Sequence, residues 1–243
     1  MSTTPCIACP LRQCDIFVPM KPEELDFMHS FKTGELEVDA GTTILMEGSN
    51  SPQLYTVLSG LGTRYKTLEN GRRQVINFLF PGDFIGLQAG VMGEMKHSVE
   101  TSTAMVLCAF RREDLWGMFR NHPERAYDLT WIGAVEEHFL GETIASIGQR
   151  TAIQRVSWAL VRIHERLRAV GLFVNGKVPL PFRQQDMADA LGLSLVHTNK
   201  TLQALRARKL AHWSDGKLIV DDLKALAELA LIDLEKPETR PLM

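Results

Sequence analysis

The amino-acid sequence predicts an α+β protein in which short strands come first, a long helix follows, and a small helical domain ends the chain. Three patterns support this fold class. Turn-forming pairs recur roughly every ten residues between residues 35 and 112, as in domains built of short strands. A narrow apolar stripe then runs along a long helical stretch, and residues 183–208 have the pattern of two short helices joined by a tight turn.

Length and composition indicate about two domains. The chain has 243 residues, of which 45% are hydrophobic, and a domain takes roughly 100–200 residues. No run of about 18 uncharged apolar residues exists, and the start lacks the basic-then-apolar pattern of a secretion signal. No membrane partner is therefore expected, and the sequence predicts a cytoplasmic protein, in which thiols stay reduced.

The net charge of −2 hides a strong segregation along the chain. Residues 1–149 contain 12 Lys and Arg against 19 Asp and Glu, a net charge of −7. Residues 150–217 contain 12 against 4, a net charge of +8, and the remaining tail has a net charge of −3. Phosphate contacts supply most non-specific affinity for DNA, so the basic block favours a nucleic-acid partner. A solvated basic face is the alternative.

The β-rich sensor domain is predicted over residues 21–120, after a cysteine-bearing segment at residues 1–20. It begins with a short helix to about Phe31, which six to eight short strands follow. Asn70-Gly71 is the strongest hairpin signal because both residues tolerate positive φ. This number and spacing of strands is typical of a β-roll, a cupin-like jelly roll.

A long dimerisation helix is predicted over residues 121–149. Its apolar residues recur at spacings of three and four and make a stripe that is narrow for a helix of this length, which resembles a coiled-coil seam. A core helix packed on the roll is the alternative. The residues predicted at the dimer interface are Ile132, Val135, Phe139, Glu142 and Ser146.

The sequence predicts a winged helix-turn-helix domain over residues 150–243. A helix over residues 151–170 precedes a hairpin with Asn175-Gly176 at its tip. The helix-turn-helix comes next, and a second hairpin and a final helix over residues 222–234 follow it. The tail beyond this helix is expected to be loose.

The helix-turn-helix has clear local signals. Gly192 permits a left-handed turn, and Ser194 stands where an N-cap hydroxyl would begin the second helix. Thr198, Leu202 and Leu205 share the face that would be buried, so the opposite face is offered to the DNA major groove. An ordinary helical hairpin is the alternative. The predicted DNA-binding residues are Arg183, Gln184, Ser194, Val196, His197, Asn199, Lys200 and Gln203.

Three of these residues take the base-facing positions. Lys200 can donate to guanine, Asn199 can pair with adenine, and Val196 offers only apolar contact, for example with a thymine methyl group. A twofold dimer would bind a pseudo-palindromic site in double-stranded DNA, with half-sites about one helical turn apart.

The four cysteines form a second candidate site. Cys6, Cys9 and Cys14 crowd the N-terminus with the spacing C-x2-C-x4-C, and Cys108 lies near the end of the predicted roll. Four thiolates are the usual ligands of a [4Fe–4S] cluster. They also suit zinc, a thiol redox switch, or inert buried thiols that bind no metal.

Taken together, these patterns resemble the Crp/Fnr family of bacterial transcription regulators over nearly the whole length of the chain. The stretch GRRQVINFLFPGDFIG is similar to the family's roll hairpin and glycine turn, and DMADALGLSLVHTNKTLQALRARKLA is similar to its helix-turn-helix. The resemblance implies a roll of the cyclic-nucleotide-binding type and a dimeric, promoter-binding regulator that works with RNA polymerase. No Ser-His-Asp, Walker or dinucleotide motif suggests an enzyme.

The resemblance also bears on the effector. Cyclic-nucleotide members carry a Glu after the glycine turn and an Arg-Ser pair, whereas this chain has GLQAG and His97-Ser98. Neither Gln88 nor a neutral His97 replaces the cation that a buried phosphate needs, so a cyclic nucleotide is not expected.

The Fnr branch of oxygen sensors carries three N-terminal cysteines and one in the roll, which implies an iron–sulfur cluster here. Another small effector is the alternative: a nucleotide, a gas bound to haem, or thiol redox without a cluster. Possible haem ligands are His29, His97 and His138.

Glu142 suggests how such a cluster would act. On the predicted seam of a parallel dimer, Glu142 would face its own copy, and two partly desolvated carboxylates repel each other. A dimer weakened in this way would need an assembled cluster to favour association. A solvent-facing Glu142 is the alternative.

Overall fold

The computed structural model describes residues 3–234 and 238–243. The chain divides into two compact units. The first consists of Met1–Lys66, Asn77–Glu137 and Thr239–Met243, and the second consists of Thr67–Ile76 and His138–Glu238. Within the described residues, no helix has the length and apolar character needed to cross a membrane.

The sensor segment consists of eight short strands with helices before, among and after them. Two 3-10 turns precede these elements, at Cys6–Ala8 and Pro10–Gln13, and a third connects β8 to α3 at Arg112–Asp114. The strands are β1 Lys32–Val38, β2 Thr43–Leu45, β3 Gln53–Ser59, β4 Gly62–Thr67, β5 Arg73–Leu79, β6 Phe84–Ile85, β7 Ser98–Thr101 and β8 Met105–Arg111. The helices are α1 Pro22–Phe31, α2 Leu87–Met92, α3 Leu115–Asn121 and α4 Pro123–Gln149.

The eight strands form two four-stranded sheets, ordered β1-β8-β3-β6 and β2-β7-β4-β5. Side chains from both sheets meet in one apolar core, in which Val57, Leu79, Val99 and Leu107 have no exposed surface. Gly71, with φ +78°, forms the predicted turn between β4 and β5. The β-roll predicted from the turn spacing is confirmed.

Strand β8 fixes the position of Cys108. It lies between β1 and β3, and Cys108 pairs with Glu35 on one side and Thr56 on the other. The neighbouring residues Leu107 and Ala109 point into the roll core, and side chains alternate between the two faces of a strand. Cys108 therefore lies on the other face, where it packs against a second apolar cluster that includes Phe31 and Phe110.

The C-terminal domain has the predicted order of elements. Its helices are α5 Ala152–Ala169, α6 Gln184–Leu191, α7 Leu195–Ala207 and α8 Leu223–Ala230, and its strands are β9 Lys177–Pro179, β10 Ala211–Ser214 and β11 Lys217–Val220. The strands form one sheet ordered β10-β11-β9. Asn175-Gly176 and Asp215-Gly216 both adopt positive φ at the predicted turns. This arrangement is a winged helix-turn-helix.

The end of the chain differs from the prediction. Helix α8 ends at Ala230, because Leu231 takes a left-handed conformation with φ 56°. Glu235, Lys236 and Pro237, part of the predicted loose tail, lie outside the described residues. The prediction is wrong for the last residues: Arg240, Leu242 and Met243 are at most 7% exposed. They belong to the first unit.

Candidate functional site

The turn of the helix-turn-helix has the predicted caps. Gly192 ends α6 with φ +64°, a conformation that costs glycine little. The hydroxyl of Ser194 accepts a hydrogen bond of 3.2 Å from the amide of His197 and so begins α7. These local contacts fix where α7 begins.

Helix α7 has one buried and one exposed face. Thr198, Leu202 and Leu205 are at most 9% exposed. Of the predicted DNA-binding residues, Gln184 and Asn199 are partly exposed and the other six are exposed: Arg183, Ser194, Val196, His197, Lys200 and Gln203. The structure thus places the whole set on the surface of the helix-turn-helix, and its contact with DNA stays a prediction.

The charge of Arg183 is already compensated. Its Nε and Nη2 donate to the two carboxylate oxygens of Asp186 at 3.1 and 2.7 Å. Asp186 in turn accepts the amide of Arg183 at 2.9 Å and caps α6. A phosphate at this position would compete with a buried carboxylate for the guanidinium group. Sequence reasoning missed Arg206 and Arg208 near the end of α7, which are also exposed cations.

The predicted dimer stripe of α4 is buried or partly buried in the single chain. The stripe consists of Ile132, Val135, Phe139, Glu142 and Ser146. Ile132 is 3% exposed within the cluster around Phe110, the ring of Phe139 stacks on Trp158 at 6.0 Å, and Ser146 has no exposed surface. The interface predicted from this stripe stays a prediction, although Ile132 and Ser146 are already buried within the single chain.

The opposite side of α4 is exposed along its length. Its residues are separated by three or four positions, as in a heptad, and are Tyr127, Thr130, Ala134, Glu137, Gly141, Ile144 and Gly148. Ile144 is 71% exposed. A Cβ atom added at Gly141 or Gly148 would meet nothing within 4 Å. A glycine inside a helix costs about 1 kcal/mol relative to alanine. Neither helix propensity nor packing within the chain therefore explains why glycine stands at these two positions.

Three of the four cysteines line one pocket. Cys6 and Cys9, from the first 3-10 turn and the residue after it, lie there with Cys108 of β8 around a cavity of about 40 Å³. Cys14 is partly buried and lies outside the lining of this pocket, close enough to Cys9 for the two to interact electrostatically. The fold thus brings together the two distant segments of chain that carry the thiols.

Charged groups surround the thiols. The ammonium group of Lys32 donates to Glu35 at 2.6 Å and to the carbonyl of Thr4 at 2.7 Å, and the side chains of this ion pair are 6% and 12% exposed. Burial raises the pKa of Cys108 to about 11, against the opposing effect of Lys32. Burial also raises the pKa of Cys6. Without a bound metal, these thiols therefore stay protonated at neutral pH.

The four thiols are the donor set of an iron–sulfur cluster, although the described residues form no group that would hold a single metal ion. All four cysteines carry free thiols, and four thiolates are the usual demand of such a cluster. Within the described residues, no three His, Cys, Asp or Glu side chains are grouped closely enough to hold a metal ion. A cluster would be held by Cys108 of β8 and by the three thiols of the N-terminal segment.

His97 is the residue on which the prediction against a cyclic nucleotide depends. Burial, with Arg64 and Lys66 nearby, lowers the pKa of His97 to about 4, so this side chain is neutral at physiological pH. Arg64 is engaged by Glu136 at 2.7 Å and by the carbonyl of Phe84 at 2.9 Å. The prediction against a cyclic nucleotide rests on this chemistry and stays a prediction.

Comparisons with known proteins agree with this architecture. Two family models match, a cyclic nucleotide-binding domain at residues 35–122 and a Crp-like helix-turn-helix domain at residues 154–229. The nitrogen fixation regulation protein FixK of Rhizobium meliloti is 30% identical over 82% of this chain and 81% of its own. An anaerobic regulatory protein of Haemophilus influenzae is 25% identical over 92% and 87%.

A solved structure shows the same fold. FixK2 from Bradyrhizobium japonicum matches with a TM-score of 0.74 at 24% identity, over 83% of this chain and 98% of that one. Both relatives are named as regulatory proteins rather than enzymes, as expected for this chain. On these matches and on its winged helix-turn-helix, the chain belongs to the Crp/Fnr family of transcription regulators.

Proposed function

We propose that this regulator binds a pseudo-palindromic promoter site as a dimer, under the control of an iron–sulfur cluster held by Cys6, Cys9, Cys14 and Cys108. The supporting observation is that Cys6, Cys9 and Cys108, from segments about a hundred residues apart, line one pocket. Inert structural thiols have no need to converge in this way. We expect the protein to act in the cytoplasm together with RNA polymerase.

The signal is proposed to be oxygen or redox state. A cluster held by four thiolates can exchange electrons and is destroyed by oxygen when it is accessible. This chain's contribution would be to hold the cysteines, to shield them behind apolar residues such as Met28 and Phe110, and to offer Lys32 as a nearby cation. The Haemophilus influenzae relative is named an anaerobic regulatory protein, which supports a signal of this kind.

Iron and sulfide analysis tests the cluster. Protein purified without oxygen should contain about four iron and four sulfide per chain and absorb near roughly 400 nm. Cys108→Ser should lose the colour and weaken specific DNA binding together. A colourless oxygen-free preparation, with DNA binding unchanged in Cys→Ser variants, would remove the cluster and leave only the DNA-binding regulator.

A second candidate is control by thiol oxidation without metal. It needs no group of metal ligands, and none is found within the described residues; all four thiols are free to react. The same preparation separates the two candidates. A colourless protein whose DNA binding changes on addition of a thiol oxidant, and recovers with a reductant, supports the thiol switch.

The dimer is proposed to form through the exposed face of α4. Ala134, Gly141 and Gly148 are small, so two such helices can approach closely, and Ile144 adds an apolar contact. Glu137 lies on the same heptad face and would meet its own copy in a parallel pair. Glu142 lies on the inward side of α4, so Glu137 takes over the repulsive role that the sequence suggested for Glu142.

A further inference from the structure

The segment Thr239–Met243 lies in a groove of the first unit beside the cysteine-bearing segment. The amide of Arg240 donates to the carbonyl of Ile16 at 2.7 Å, and the amide of Val18 donates to the carbonyl of Arg240 at 2.9 Å. Phe17 and Arg240 thereby form a short parallel β-bridge. Ile16 lies only two residues after Cys14, so the tail is hydrogen-bonded to the N-terminal segment that carries the first three thiols.

A buried ion pair anchors the tail to the roll. Arg240 Nη1 lies 3.2 Å from Asp83 Oδ1, and the two side chains are 8% and 3% exposed. The second oxygen of Asp83 accepts the amide of Phe80 at 2.9 Å, which orients the carboxylate. Removing one partner of such a buried pair strongly destabilises the arrangement, because the other charge is left without compensation.

The last two residues close the cysteine pocket. Leu242 and Met243 are 5% and 4% exposed and line the same cavity as Cys6 and Cys108. The carbonyl of Leu242 accepts from Arg125 at 3.2 Å, and the carbonyl of Met243 accepts from the hydroxyl of Thr56. Thr56 is the strand partner of Cys108. The tail is therefore attached to both segments that carry thiols.

We propose that residues 239–243 form a clasp that closes the cysteine pocket, so that the docking of the tail and the chemistry of the thiols depend on each other. A change that moves Cys14 or Cys108 shifts a hydrogen-bonding partner of the clasp, and release of the clasp opens the pocket. Such coupling is reciprocal. This inference does not require that the thiols hold a cluster.

Thiol alkylation tests the clasp in one direction. In reduced, metal-free, full-length protein, Arg240→Ala should make iodoacetamide react with Cys6, Cys9 and Cys108 about ten-fold faster or more, as a loss of 1.4 kcal/mol in docking would give. Lys224→Ala, an exposed cation of α8, is the control and should react as the unchanged protein does. Rates within about two-fold of that protein for Arg240→Ala would overturn the proposal.

Hydrogen exchange tests the reverse direction without any substitution. Modification of the cysteines with N-ethylmaleimide should make the amides of Val18 and Arg240 exchange about ten-fold faster or more, while those of the roll core, such as Val57 and Leu107, keep their rates. Unchanged exchange at Val18 and Arg240 after complete modification would show that the clasp and the thiols are independent. Neither readout involves iron or DNA, so a failure here is separate from a failure of the proposed cluster.

Discussion

At the scale of single residues, two cations of the helix-turn-helix have different expected roles. Lys200 is exposed on the face opposite the buried Leu202, whereas Arg183 is bound by Asp186. A cation that reaches a base edge discriminates between sequences, and one that reaches a phosphate does not. The difference can be measured, because specific and random DNA report the two kinds of contact separately.

Lys200→Ala should weaken binding to the specific site by about 1–3 kcal/mol and leave binding to random DNA nearly unchanged. Arg183→Ala should cost less on either DNA, because the guanidinium group is already paired. Titrations of both DNAs at one salt concentration measure these changes. Equal losses on the two DNAs for Lys200→Ala would show that Lys200 contacts only a phosphate.

His97 should make the protein less stable in mild acid. Its pKa is about 4 in the folded chain and about 6.5 when unfolded, so the unfolded chain binds the proton more tightly. The free energy of unfolding should therefore fall as the pH drops from about 6.5 towards 4, by about 3 kcal/mol at most, and then level off.

Urea unfolding at pH 7 and pH 5 measures this loss, with His97→Gln as the comparison. The variant should lose less stability between the two pH values than the unchanged protein. Equal losses in both proteins would assign the acid sensitivity to other groups.

Local signals in the sequence were reliable for single residues. Gly192 and Ser194 were predicted correctly because the conformation of a turn and the donor of a helix cap depend on neighbours a few positions away. The pairing of Arg183 with Asp186 carried the same kind of signal, a separation of three residues beside a helix start. The meeting of Cys6, Cys9 and Cys108 at one pocket had no such local signal, because β8 and the N-terminal turns are distant in sequence.

At the scale of elements, α4 shows where periodicity is insufficient. The sequence predicted a long helix with a narrow apolar stripe, and both exist. The stripe covers the chain's own core at Ile132 and Phe139. The signal that supports the proposed partner helix is the row of small residues Ala134, Gly141 and Gly148, of which the two glycines are unfavourable in an isolated helix.

The exposed face of α4 predicts opposite effects for two acidic residues. Glu137→Ala should strengthen dimerisation by about 1 kcal/mol, because two carboxylates about 4 Å apart near a surface repel each other by about 1–4 kcal/mol before solvent screening. Glu142→Ala, on the inward side, should leave dimerisation unchanged, and Ile144→Arg should weaken it strongly.

Sedimentation equilibrium of metal-free protein measures all three variants. Circular dichroism should show an unchanged helix content for Ile144→Arg, since its side chain is exposed in the single chain. A gain in association for Glu142→Ala without one for Glu137→Ala would return the dimer seam to the stripe first predicted from the sequence.

At the scale of the whole molecule, the order of roll, long helix and winged helix-turn-helix could be predicted because each part has its own period and turn residues. The docked tail could not be predicted. Arg240 and Asp83 pair across 157 positions of sequence, and Arg240 stands among Pro and charged residues that usually mark a solvated end. Its position follows from backbone hydrogen bonds to Ile16 and Val18 and from the ion pair with Asp83, which form only once the roll has folded.

The segregated charge of the chain predicts strongly salt-dependent DNA binding in spite of the net charge of −2. The positive charge lies in the domain that carries the helix-turn-helix, so counterions are released where the phosphates bind. A dimer that neutralises about six to ten phosphates should lose roughly 10³–10⁵ in affinity between about 50 and 200 mM salt.

Arg206→Ala should reduce the slope of log affinity against log salt by about two per dimer, one contact for each subunit. Lys96→Ala, an exposed cation paired with Glu94 in the acidic unit, is the matched control and should leave the slope unchanged. Equal slopes for Arg206→Ala and the unchanged protein would place the phosphate contacts elsewhere in the basic block.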